Sequence, residues 1–66
     1  MKNEERYNQV SGVVNDIRNT IGDLSGAART LEEYDYGKFA DRARNVMAIV
    51  EQLAHDLFQA NLKDNA

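Results

Sequence analysis

Apolar residues recur along the first half of the chain at Tyr7, Val10, Val14, Ile17, Ile21, Leu24, Ala28 and Leu31, alternately three and four apart. That alternation is the a/d seam of a heptad repeat on an α-helix. The second half repeats it through Tyr36, Phe39, Ala43, Val46, Val50, Leu53, Leu57 and Ala60. Carrying the first register onward would place Asp35, Lys38, Arg42 and Asn45 in the seam, and all four are polar. The phase therefore breaks between Leu31 and Tyr36, which predicts a turn joining two antiparallel helices at about 4–31 and 36–62. Asp35 is the expected N-cap of the second helix, with Tyr36 at its first position. Thr30 followed by Glu33 also fits a capping box, which would set the boundary a few residues earlier.

Each stripe is wider than a two-helix contact requires. Val13, Thr20 and Ala27 broaden one flank of the first seam, and Ala40, Met47 and Ala54 broaden one flank of the second. Two hairpins packed face to face would cover both, making an all-α homodimeric four-helix bundle of about 130 residues. The expected oligomer core is Val10, Val14, Ile17, Ile21, Leu24, Phe39, Val46, Val50, Leu53 and Leu57. Ala28 and Ala43 permit close approach near the turn, while Tyr7 and Leu57 are expected to fill the open end. A higher oligomer, or a bundle completed by a different protein, satisfies the same pattern.

Composition strengthens the case for self-association. The chain has 66 residues, no cysteine and one histidine, so neither disulfides nor a histidine–cysteine metal site is at hand to stabilise so small a core. The N-terminal "MKNEERYNQV" lacks the apolar stretch of a signal peptide, and the longest apolar run, "VMAIV", is too short for a bilayer. A soluble, cytoplasmic protein that does not engage a membrane is expected. The net charge of −3 argues against a general affinity for nucleic acid.

The outer face of the first helix is unusual. Asn8, Gly12, Asn15, Asn19, Gly22, Gly26 and Arg29 form a second three/four stripe, polar yet almost uncharged. Solvated helix faces ordinarily carry Lys and Glu, which favour both helix and solubility. Each interior glycine costs roughly 1 kcal/mol relative to alanine. One reading is a flat, amide-rich surface that a partner approaches closely. The other is a weak helix tolerated by its packing, or one broken between Gly22 and Gly26.

Three smaller features also stand out. Phe58 and Leu62, one turn apart, lie off the seam with Ile49; they either cover the start of the first helix around Met1 and Tyr7 or form a secondary docking patch. Arg29, Lys38, Arg42 and Arg44 fall near the turn with Tyr34 and Tyr36, a pairing suited to anions or bases, but Glu32, Glu33, Asp35 and Asp41 are interleaved with them. Glu51 and His55 stand four apart at outward positions, unlike the inward Glu-x-x-His pairs of metal-binding bundles. No nucleophile setting or phosphate loop is present, so neither an enzyme nor a cofactor is expected.

In length and expected architecture the chain resembles the small copy-number regulators of the Rop type, an analogy of fold with no shared motif. In that family the outward faces of a helix pair bind paired RNA loops through basic and amide side chains, and no residue carries over to this sequence. The leading expectation is a small non-enzymatic interaction protein that regulates, inhibits or adapts a larger protein through the Asn/Gly face. The alternatives are an oligomer that binds a small ligand or nucleotide near the turn, and a Rop-like RNA-binding regulator.

Overall fold

The structure, a computed structural model, describes residues 3–65. Two helices, α1 (Glu4–Glu33) and α2 (Gly37–Asn65), pack against each other as an antiparallel hairpin. Asn3 caps α1, its side-chain oxygen accepting from the Arg6 amide at 3.1 Å, and Glu4 and Glu5 sit favourably in the positive first turn. The helix runs unbroken through Gly22 and Gly26, so the expected alternative of a break there does not occur.

The turn differs from the sequence expectation in mechanism and by a few residues in place. Thr30 does not begin a helix; it lies inside α1 and its hydroxyl donates to the Gly26 carbonyl at 3.1 Å. Asp35 is not the N-cap of α2. It adopts a left-handed backbone with φ 67°, while its amide reaches Glu32 O and the Tyr36 amide reaches Leu31 O at 2.8 Å. This is a Schellman ending of α1, in which the first residue beyond the cap must be left-handed. Aspartate tolerates that conformation better than most side chains. Tyr36 then precedes α2 and not within it, its carbonyl accepting from the Phe39 and Ala40 amides at 3.0 Å.

On α1 every position of the expected seam, from Tyr7 to Leu31, is buried or half-buried. On α2 the inward face is rotated. Ala40 and Ala54 of the flanking row are buried with Met47 half-buried, and Ala43, Val50 and Leu57 are half-buried, whereas Tyr36, Phe39, Val46, Leu53 and Ala60 are exposed. Small side chains explain the rotation, because an alanine row lets the helix backbones approach most closely. The open end also differs: Tyr7 and Leu57 are only half-buried, and the buried residues there are Asn61 and Asn65. The Asn61 amide donates to Tyr7 O at 3.1 Å and to Ser11 Oγ at 3.2 Å, and Asn65 donates to Asn61 Oδ1 at 2.9 Å.

Little is sheltered by this arrangement. Among the described residues the buried apolar ones are Val14, Ala28, Ala40 and Ala54. The molecule is a slab with extents of 53 × 14 × 8 Å and a radius of gyration of 15.3 Å, against about 11 Å for a compact chain of this length. Its accessible surface is 5153 Å², against about 4,200 Å² for a compact monomer of equal mass.

Candidate functional site

Cross-helix contacts identify the two edges of the slab. Asn61 bonds Ser11, the Arg18 guanidinium lies 5.4 Å from the Phe58 ring centre, and Arg44 pairs with Glu32. Ser11, Arg18, Ser25 and Glu32 recur every seven residues on α1, as do Arg44, Phe58 and Asn65 at intervals of seven or fourteen on α2. These rows therefore line one edge of the helix–helix seam. Helical geometry then assigns Val10, Ile17, Leu24 and Leu31, with Val13, Thr20 and Ala27 beyond them, to the opposite edge of α1. On α2 the same edge carries Phe39, Val46 and Leu53. Both helices thus present their uncovered apolar rows on one long face.

That face is substantially open to solvent. Val13 is 48 % exposed, Phe39 52 %, Val46 47 %, Leu53 53 % and Ile49, beside Val46 and Leu53 on the same helix, 71 %. Arg42 stacks on the Phe39 ring at 5.8 Å and Tyr36 tilts against it at 6.0 Å. Of the expected oligomer core, Val14 is buried, Val10, Ile17, Ile21, Leu24, Val50 and Leu57 are half-buried, and Phe39, Val46 and Leu53 are exposed. A contiguous apolar surface contributed by two helices is more than the scattered single side chains normal on monomers.

The Asn/Gly stripe lies away from the apolar face. Asn8, Gly12, Asn15, Asn19, Gly22, Gly26 and Arg29 are all exposed, and a methyl added at Gly12, Gly22 or Gly26 would meet nothing within 4 Å. Among the described residues no contact requires glycine at these positions.

The other candidates are more dispersed. Phe58 is half-buried beneath Arg18 and Leu62 is partly exposed; Met1, the other residue invoked there, lies outside the described residues. Arg29, Tyr34, Tyr36, Lys38, Arg42 and Arg44 are all exposed, but they do not converge. Arg29 belongs to the outer Asn/Gly stripe of α1, Arg42 stacks on Phe39 at the edge of the apolar face, and Arg44 is held by Glu32 and by Asp41 at 3.5 Å. Glu51 and His55 are exposed on α2. Among the described residues no helix is long and apolar enough to cross a membrane.

Asn61 is the residue that sequence reasoning missed. It continues the Ala40, Met47, Ala54 row at the same seven-residue interval, so that row, followed to its end, points to a buried amide in the seam. Comparison with known protein families, with curated proteins and with solved structures finds no match to this chain.

Proposed function

We propose that this chain is a non-enzymatic, cytoplasmic interaction protein whose copies pair through the apolar face into a homodimeric four-helix bundle. The observation that carries the reading is the exposed Phe39, Val46 and Leu53 row set beside the half-covered Val10, Ile17 and Leu24 row. Doubling the mass in a compact form exposes about 7,000 Å², so pairing removes roughly 3,000 Å² in total. That falls within the range of about 2,000–5,000 Å² typical of obligate homodimers.

Pairing on that face leaves the Asn/Gly stripe of each α1 outermost. There the bundle docks a larger protein, which it regulates, inhibits or adapts. Glycines bring the partner close to the helix backbone, and Asn8, Asn15 and Asn19 supply amide donors and acceptors. Arg29 completes the stripe with a charged fork suited to a carboxylate.

The test is affinity capture from the native host by the unsubstituted bundle and by an Asn15→Lys/Asn19→Lys variant. The expected result is one large protein retained by the former and lost by the latter, with identical melting curves. Affinity for RNA that falls steeply with added salt, or a melting temperature raised by nucleotides, would replace this reading with the RNA-binding or ligand-binding one.

A further inference from the structure

We infer that the two hairpins of the bundle pack with their turns at opposite ends, α1 over α1 and α2 over α2, about a two-fold axis passing beside Thr20 and Ile49. The inference rests on the dimer proposed above and specifies its geometry. Asn61 sits level with Tyr7 and Ser11, and following both antiparallel helices about eleven residues toward the turn brings Thr20 level with Ile49 and Val50.

Side-chain volume then separates the two symmetric ways of pairing. At the turn end the face carries Phe39 and Leu31, its bulkiest pair; at the open end it carries Ala60 and Val10, its smallest. Turns at the same end would stack two Phe and two Leu in one layer and two Ala and two Val in another. Such a bundle is overpacked at one end and hollow at the other, and both faults are destabilising. Turns at opposite ends set Phe39 over the partner's Ala60, Leu31 over the partner's Val10 and Val46 over the partner's Leu53. Every layer then has nearly the same volume, as close packing of parallel rods requires.

The centre and the rim agree with this choice. Thr20, exposed in the hairpin, already spends its hydroxyl on the Asp16 carbonyl at 3.1 Å, so it offers a methyl to its own copy across the axis with no polar group left unpaired. Ile49, the most exposed of the large aliphatic residues of α2, meets its own copy beside the same axis. At the rim, Arg42 comes level with the partner's Asp56. A like-charge rim pair arises in either arrangement: Asp16 opposite Asp23 with turns apart, Asp16 opposite Asp56 with turns together. Only the opposite-end arrangement gives Arg42 an acidic neighbour at its own height.

Because the chain has no cysteine, single substitutions report the geometry cleanly. Facing rows of helices packed about 8–10 Å apart bring Cα atoms within disulfide reach. Thr20→Cys and, separately, Ile49→Cys are oxidised mildly as full chains at micromolar concentration. Each should become a covalent dimer on non-reducing gels, whereas Ala27→Cys, whose copies lie roughly 20 Å apart along α1, should not. A mixed disulfide between Thr20→Cys and Ile49→Cys chains, with neither linking to itself, overturns the inference in favour of turns at the same end. Sedimentation of the reduced variants separates the two levels: dimers lacking the Thr20 link refute only the geometry, while monomers refute the dimer beneath it.

Discussion

The two long faces of this hairpin are built from opposite materials, and neither is what a solitary helix pair needs. One carries Phe39, Val46, Leu53 and Val13 into solvent, where branched and aromatic side chains gain nothing. The other carries Gly12, Gly22 and Gly26 among asparagines, where helix propensity is sacrificed and no packing in the hairpin requires it. The contrast teaches that the residues between the helices are not where this sequence concentrates its hydrophobic bulk. Three of the four fully buried apolar residues among the described residues are alanine, while Phe39, Val46 and Leu53 face outward on one side. On the proposed reading a second copy covers the first face, and a partner of different chemistry the second.

The largest effect should come from charging the apolar face. In an isolated hairpin Leu53→Glu is a surface change within about 0.5 kcal/mol of neutral. In the dimer it buries a carboxylate in each subunit, and the loss should be several kcal/mol, on the order of 3–5. Denaturant melts combined with sedimentation separate the cases, and an unchanged midpoint would break the comparison.

Overpacking the inner seam comes next. Ala40 has no accessible surface, so Ala40→Leu should cost about 1–3 kcal/mol by forcing the helices apart near the turn. Asn61→Ala should cost about 1–3 kcal/mol in the same assay, since Tyr7 O, Ser11 and the Asn65 amide all lose a partner. Recovery of stability in Asn61→Leu, accompanied by a mixture of oligomers on a sizing column, would mark the amide as a device that sets register.

Smaller effects sharpen the second face. Gly22→Ala and Gly26→Ala should each raise stability by about 0.5–1 kcal/mol, because the added methyl meets nothing and the unfolded chain loses freedom. If the partner still binds both variants with full affinity, close approach at the glycines is not their purpose. Asp35→Gly should add up to about 1 kcal/mol by relieving the left-handed backbone at φ 67°. Arg44→Ala, which removes an exposed pair with Glu32, should change the melt by less than about 0.5 kcal/mol.

Much of the architecture is legible in the heptad spacing, and α1 shows why: its third row, Val13, Thr20 and Ala27, is the least apolar, so the continuous pair of rows from Tyr7 to Leu31 is the one that turns toward α2. The stripe on α2 was ambiguous because three rows are apolar, and periodicity does not say which two turn inward. Closest approach decided in favour of Ala40, Met47 and Ala54 over Phe39, Val46 and Leu53. The heptad break places the turn within a few residues but does not give its kind, since Asp35 resembles an N-cap in sequence and its left-handed backbone leaves no compositional trace such as glycine. For the candidate site, the Asn/Gly stripe was visible as a pattern of residue types, whereas the outward drift of the bulky α2 row depends on how the helices rotate and required the fold.

Association of two copies is the central claim, and mass in solution tests it most directly. Sedimentation equilibrium of the unsubstituted chain at micromolar concentration should return twice the 7.5 kDa of one chain, with a melting midpoint that falls on dilution. A particle of 7.5 kDa that unfolds cooperatively at a midpoint independent of concentration would contradict it.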